Sequence, residues 1–357
     1  MSGTPSVSVV VTNFDGENYL PGMMAALEAT RFPFHEIIVS DDASTDGSRL
    51  LVRHRYPGVR LVASDSNLGP AAARNAGIRA ASGEFVLLLD NDGFPRPDAV
   101  EPMLDAFERD KGIVGVMPRV ILRGDPALVH CDGARTHVTG QMWLLNGHVP
   151  LATAPATGEP IASLMGTAMM FRREAALAIG GFEPDYFFYY EDHDFGTRLR
   201  ILGGPLASVP SARIDHLTGT AGLSFRTGRR YPLRRAYLTA KNRVLFTLRT
   251  LRGRTLLLLL PGLVLHELAQ AAFAIARGWG DCWLGGWTWN VSHLGRTLRK
   301  REVIQARRIA PDRAILQDGA LPLHPGVLDK KGPAARIRVV LERVLGALYV
   351  PVRRFIR

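Results

Sequence analysis

The sequence predicts an α/β protein with a mostly parallel central sheet, followed by a basic, partly apolar helical C-terminal extension. Three observations predict it. Short β-rich runs alternate with helix-period segments through the first half, which implies βαβ crossovers. The strands are almost wholly apolar, as in FVLLL at Phe85–Leu89, which suits a sheet covered on both faces. Charge is divided along the chain: residues 217–357 carry 26 Lys+Arg against 7 Asp+Glu, a net +19, while residues 1–216 carry 18 against 26, a net −8.

Taken in order, Ser6–Thr12 (SVSVVVT) reads as a strand and Tyr19–Ala29 as a helix. Glu36–Ser40 is a second strand, with a helix from about Asp46 to Arg55 after it. Val59–Ala63 is a third strand, Pro70–Ala81 a helix opened by proline in its first turn, and Phe85–Leu89 a fourth strand. A chain of 357 residues, 46% apolar and 22% charged, holds one large domain plus an extension. The boundary is drawn at 250, giving 1–250 for the α/β domain and 251–357 for the extension. Cys131 and Cys282 fit no metal or redox spacing, so a reducing compartment is expected. The opening MSGTPSVSVVVTNF lacks a basic n-region and runs into the first strand, so no signal peptide is expected.

In such a sheet, ligands sit beyond the carboxyl ends of the strands. The residues there are polar and acidic: Thr12, Asn13 and Asp15 after the first strand, Asp41, Asp42, Ser44 and Asp46 after the second, Asp90, Asn91 and Asp92 after the fourth. No G-x-G-x-x-G loop follows the first strand and no G-x-x-x-x-G-K-[ST] loop occurs, which argues against a dinucleotide dehydrogenase and a P-loop NTPase. Asp90 and Asp92 stand one residue apart at a strand end. That arrangement can share a hard divalent cation, Mg²⁺ or Mn²⁺, with the phosphates it holds. The bland alternative is that they cap the turn before Gly93 and Pro95. Adjacent Asp41 and Asp42 exceed what an N-cap needs, and a carboxylate there can accept the imide N–H of a pyrimidine. Arg74 supplies a fixed cation among the small residues Ala71, Ala72, Ala73 and Gly77.

The ordered segments VVVTNFDGENYL, IIVSDDASTDGS, NLGPAAARNAGI, GEFVLLLDNDGFPRPDAV and GGFEPDYFFYYEDHDFGTRLR resemble the family 2 glycosyltransferases of GT-A fold. The likeness is greatest to the rhamnosyltransferase-like branch of bacterial cell-surface polysaccharide enzymes and covers about residues 5–250. It implies that Thr12, Asn13, Asp42 and Arg74 bind the nucleotide, and that Asp90 and Asp92 hold ribose, metal and diphosphate. Asn13-Phe14 stands where the family often has Tyr-Asn. Gly166 and Thr167, before the apolar MMF, match the small residues at the donor sugar. The resemblance makes Asp192 the general base, with the adjacent Glu191 as rival. The preceding aromatic run, Tyr186–Tyr190, could raise a carboxylate pKa by desolvation. His216, at a later strand end, matches the position of a histidine metal ligand. Gly219–Ser224 and the basic stretch Arg226–Arg235 match a mobile loop over the diphosphate. The processive Q-x-x-R-W signature is absent.

These features imply an inverting transfer from a UDP- or dTDP-linked sugar to an acceptor hydroxyl on a lipid-linked or cell-surface glycan. A sugar nucleotidyltransferase would carry a G-x-G-T-R-type loop and a lysine near the first strand, and neither is present. A catalytically silent nucleotide-sugar sensor would not need Asp92, Asp192 and His216 together. The back half contains no recognisable nucleic-acid module. Its most apolar stretch, Thr255–Ala276, is long enough to span a bilayer. Pro261, which is expected to interrupt it, the polar face of His266, Glu267 and Gln270, and arginines at both ends favour a helix lying in the interface. Trp279, Trp283, Trp287 and Trp289 are expected at headgroup depth, and Ala335–Arg357 as a second anchor. An anionic membrane surface, on the cytoplasmic face of the bacterial inner membrane, is the expected partner, with peripheral or monotopic attachment.

Overall fold

A computed structural model describes residues 5–217, 231–322 and 333–356. The first elements are β1 (Val7–Asn13), α1 (Leu20–Glu28), β2 (Glu36–Asp41), α2 (Ser48–Arg55), β3 (Arg60–Ala63), α3 (Pro70–Ala80) and β4 (Phe85–Asp90). They lie within two residues of the ends expected from periodicity. Next come β5 (Gly93–Pro95), α4 (Val100–Arg109), β6 (Gly115–Leu122), β7 (Val129–Cys131), β8 (Ala134–His137), β9 (Met142–Leu144) and β10 (Pro160–Ile161). After these come β11 (Ala168–Arg172), α5 (Arg173–Ala178), α6 (Glu191–Arg198) and β12 (Leu206–His216).

The main sheet has the order β10-β12-β6-β11-β4-β1-β2-β3, with β5 added to β12 and β7 to β6. The pairs β1–β2, β2–β3, β1–β4 and β6–β12 are parallel, while β11 runs antiparallel between β4 and β6. Two-residue alternation splits the strands between two cores. Val7, Val9, Val11, Leu87 and Leu89 pack with Leu20, Met23 and Met103 on one face. Val10, Val86 and Leu88 pack with Ala71, Ile78 and Phe195 on the other. On that second face α3 approaches closely: a Cβ on Gly77 would lie 2.3 Å from Val10 Cγ1. The small residues of α3 therefore set its depth against the sheet.

The chain forms two compact units, residues 1–134 with 144–218, and residues 135–143 with 219–357. The second holds α7 (Leu233–Thr250), α8 (Gly253–Ala276), α9 (Gly280–Ser292), α10 (Leu294–Ala306), β13 (Leu316–Gln317) and α11 (Pro333–Tyr349). The division falls earlier than the 250 drawn from sequence, because α7 packs along α9 and α10. A Cβ on Gly286 of α9 would lie 2.8 Å from the Lys241 nitrogen of α7. The helix α8 runs unbroken through Pro261, contrary to the expected interruption. Pro261 is exposed, so the carbonyl it leaves unbonded one turn earlier can reach solvent. His266, Glu267 and Gln270 do face inward: Gln270 Nε2 lies 3.4 Å from His266 Nε2, Arg243 pairs with Glu267, and Trp287 Nε1 donates to Glu267 at 2.6 Å. Of the four tryptophans expected at headgroup depth, Trp279 stacks on Tyr231 and Trp289 on His293, and all four stay partly exposed.

Candidate active site

Parallel register brings three strand ends to one edge. Thr12 is paired with Asp90 across β1–β4, and Asn13 with Asp41 across β1–β2. Asn13 Nδ2 donates to Asp41 Oδ2 at 2.8 Å, and Asn91 Nδ2 donates to Asn13 Oδ1 at 2.9 Å. The second Asp41 oxygen accepts from Arg49 Nε and from the Ser44 amide. Asp41, wholly buried, is thus consumed in tying β1 to the start of α2, and Asn13 is held by the same network. Asp42 accepts the Leu68 and Gly69 amides at 2.9 and 2.7 Å, fixing the turn into α3. Burial holds the Asp42 carboxyl above its usual value, against the pull of those two amides. Each of its oxygens keeps a lone pair for a ligand donor.

Asp90 and Asp92 part company. Asp90 continues the β4 alternation on the face of Val86 and Leu88, which is the α3 face, and there it meets Arg74. Arg74 Nη2 donates to Asp90 Oδ1 and Nη1 to Glu191 Oε1, both at 2.9 Å. Arg74 is 3% exposed and spans two carboxylates contributed by β4 and α6. Asp90, expected on the metal, accepts from this arginine through Oδ1. Burial pushes the Glu191 carboxyl up to about 8, aided by Asp192 and opposed by Arg74.

Asp92 lies beyond the strand, and its Oδ2 is 3.3 Å from His216 Nε2 at the end of β12. That juxtaposition is built by β5, whose Gly93 pairs with His216. Two ligands bound side by side at about 2.1 Å from one ion would stand about 3 Å apart, so one oxygen and one nitrogen here fit a shared divalent cation. Among the described residues no group of three or more His, Cys, Asp or Glu could hold a metal ion. The remaining ligands would come from water and phosphate.

Glu191 and Asp192 open α6, where the helix dipole favours negative charge. Asp192 Oδ2 accepts the Gly166 amide at 2.8 Å, and Oδ1 accepts the His193 amide at 2.7 Å. A Cβ on Gly166 would lie 2.4 Å from Arg74 Nη2, so only glycine fits between the arginine and the aspartate. Thr167 closes the same floor, its carbonyl accepting the Asp90 amide at 3.0 Å. The preceding aromatic run is strained: Phe187, Tyr189 and Tyr190 have φ of 63°, 62° and 70°, a region that side chains with Cβ rarely adopt. Behind α6, Asp194 binds Tyr186 Oη and Arg198 and anchors the helix. Three buried polar atoms at this edge lack a partner among the described residues: Thr12 Oγ1, Arg74 Nε and Glu191 Oε2.

Every sequence-predicted site residue therefore lies on this edge or on the loops bordering it. The loop expected over the diphosphate, Gly219–Ser224 with the basic stretch from Arg226 to Arg230, lies outside the described residues. Arg49 and the partnership of Arg74 with Glu191 were not foreseen. The last joins residues 117 apart, and nothing local signals it.

A family model described as glycosyl transferase family 2 matches residues 8–180. An N-acetylglucosaminyl-diphospho-decaprenol L-rhamnosyltransferase of Mycobacterium tuberculosis is 31% identical over 241 residues, which is 60% of this chain and 76% of the relative. The succinoglycan biosynthesis protein ExoO of Rhizobium meliloti is 37% identical over 102 residues, covering 28% of this chain and 29% of that one. Among solved structures, GalNAc-T7 with UDP, GalNAc and Mn²⁺ superposes with a TM-score of 0.53 at 17% identity, covering 69% of this chain and 48% of that one. Mannosyltransferase PcManGT from Pyrobaculum calidifontis, in complex with GDP-Man and Mn²⁺, gives 0.50 at 18% identity, covering 86% of each chain. At these identities the structural likeness speaks for the fold.

Proposed function

The chain belongs to glycosyl transferase family 2 and is a nucleotide-sugar glycosyltransferase of GT-A fold. From that premise we propose an inverting transfer of a sugar from a UDP- or dTDP-linked donor to a hydroxyl of a lipid-linked acceptor, with Asp192 as base. The carrying observation is the continuous run Asp90–Arg74–Glu191 and Asp192–Gly166, flanked by the Asp92–His216 pair. Thr12, Asn13, Asp41 and Asp42 form the nucleoside end, with Asp42 offering lone pairs to the base and Asp41 holding Asn13 in place. Gly166 and Thr167 border the donor sugar.

Asp92 and His216 are the residues that would hold a divalent cation, and the imidazole tilts the choice from Mg²⁺ toward Mn²⁺. Such an ion, when bound, neutralises charge on the departing diphosphate. Asp192 takes the acceptor proton as the hydroxyl attacks the anomeric carbon opposite the leaving group. The Gly166 and His193 amides fix its rotamer and leave one lone pair on each oxygen free for that hydroxyl. Arg74 holds Glu191 away from the reacting hydroxyl, which favours Asp192 over its neighbour.

A lipid-linked acceptor accords with the name of the mycobacterial relative and with the helical unit's own surface. Leu257, Leu260, Val264 and Leu268 make one exposed apolar stripe on α8 at three- and four-residue spacing, which Ile275 continues seven residues on, with Leu268 64% and Ile275 70% exposed. Ile337, Val340, Val344 and Leu348 repeat the pattern on α11. By length and composition α8 could also cross a membrane. Its inward-facing His266, Glu267 and Gln270 favour lying in the interface, on the anionic cytoplasmic leaflet that the net +19 of residues 217–357 suits. The test is nucleotide release across a panel of nucleotide-diphosphate sugars, with Mn²⁺ or Mg²⁺ and membrane lipid acceptors. Release that needs both a cation and a lipid acceptor is expected. Release unaffected by EDTA, or by omitting lipid, would refute the corresponding part.

A further inference from the structure

We infer that His130 is a positioning residue for His216, fixing the ring form in which His216 can bind a cation; the inference rests on the cation reading above. Both histidines flank the same stretch of β6. His130 sits in β7, whose neighbours Val129 and Cys131 pair with Ile121 and Val120. His216 sits in β12 opposite Leu122, on the other side of β6. Their rings meet over that strand with planes only 6° apart and centroids 5.2 Å apart. The rings stack with an offset that brings the Nδ1 atoms to 3.3 Å, where one donates to the other.

The opposite nitrogen of His216, Nε2, faces Asp92. The two ring nitrogens of a neutral histidine are linked: a proton on one leaves a lone pair on the other. With a cation absent, His216 Nε2 lies 3.3 Å from Asp92 Oδ2 and the two Nδ1 atoms share one hydrogen bond. With a cation present, Nε2 must offer its lone pair, so Nδ1 must carry the proton and needs an acceptor. His130 Nδ1 supplies that acceptor when its own proton sits on Nε2, and His130 is only partly buried. Binding in that form creates no buried charge. His216 is 6% exposed, and without His130 its Nδ1–H would be left unpaired in the bound state.

The sequence offered no pointer to His130, which is 86 residues from His216 and carries no motif. Outer-sphere partners of this kind typically contribute 10–100-fold to metal affinity. The experiment measures Mn²⁺ binding by electron paramagnetic resonance in the presence of UDP, and again with dTDP, with no sugar transfer required. His130→Phe keeps a ring and removes the acceptor; its Mn²⁺ affinity should fall about 10–100-fold. His130→Asn places an amide oxygen near the Nδ1 position and should restore most of that loss. Thermal unfolding of both variants is recorded alongside. Wild-type affinity in His130→Phe overturns the inference, and so does an Asn variant as weak as the Phe variant, which marks a packing role instead. Asp92→Ala separates the two levels. If wild type and Asp92→Ala bind Mn²⁺ equally, the cation site itself is refuted; if only Asp92→Ala is impaired and His130→Phe is not, His130 alone is excluded.

Discussion

Asp192→Asn is isosteric but not silent. In the native site each carboxylate oxygen accepts one backbone amide, from Gly166 at 2.8 Å and from His193 at 2.7 Å. An asparagine has one acceptor oxygen, so its NH₂ group must face one of those amides. One hydrogen bond to a charged group is lost, worth about 1.5–3 kcal/mol. The negative charge at the first turn of α6 is also lost, worth about 0.3–1 kcal/mol. The variant should therefore be about 2–4 kcal/mol less stable, which lowers Tm by about 5–15 °C in a unit of this size. Base catalysis supplies about 10²–10⁴-fold, or roughly 3–5 kcal/mol of barrier, so transfer should fall by that factor at a temperature where the variant is folded. Both readouts are needed: single-turnover nucleotide release for the chemistry and thermal unfolding for the fold. An Asn variant that turns over near the wild-type rate, beside a dead Glu191→Gln, would move the base one residue upstream. An unchanged Tm would refute the two-amide account of how Asp192 is held.

Arg74→Leu should cost about 1–3 kcal/mol, because it leaves the buried Glu191 carboxyl without the donor it shares with Asp90; urea denaturation measures it, and an unchanged stability would count against the bridge. Burial lowers His193 to about 3 and also lowers His137, so below about pH 6.5 the unfolded chain takes up protons that the native state refuses. Stability should then fall with falling pH, by about 1.4 kcal/mol per unit for each histidine while the pH stays above its native pKa. Glu191, raised to about 8, acts with the opposite sign between about 4.5 and 8, where the native state holds the extra proton. Glu191→Gln should therefore steepen the acid loss and remove a decline toward pH 8; superimposable stability profiles of wild type and variant from pH 5 to 8 would refute this. Leu257→Asp with Leu268→Asp should release the protein from anionic vesicles in flotation while leaving the unfolding midpoint unchanged, since both side chains are exposed; undiminished flotation would exclude the α8 stripe as the anchor.

Elements with a clear two- or 3.6-residue rhythm were legible from sequence: β1 to β4 and α1 to α3 emerged nearly as expected. The strand-end acids Asp41, Asp90 and Asp92 were legible for the same reason, because their position follows from the strands. What each acid touches was not. Asp90 meets Arg74 because β4 alternation aims it at α3, a fact that needs the sheet's layering as well as the strand. The antiparallel insertion of β11 between β4 and β6 depends on pairing across long sequence separations, which leaves no local trace. Pro261 gave a true local signal that the exposed side of α8 made harmless. The tryptophans gave a composition signal for an interface, while the stacking of Trp279 on Tyr231 and of Trp289 on His293 left no local trace.

The left-handed backbone at Phe187, Tyr189 and Tyr190 bears on how this enzyme would behave under laboratory evolution. Each such residue costs roughly 1–2 kcal/mol relative to an ordinary conformation, a cost that glycine escapes and asparagine reduces. A library selected for heat resistance should therefore enrich Tyr189→Gly and Tyr189→Asn. A library selected for sugar transfer should discard them, because Asp192 stands in the first turn of α6, two positions after Tyr190, and takes its direction from that run. Divergence of the two selections at these positions would mark where the enzyme has exchanged thermal robustness for the aim of one carboxylate.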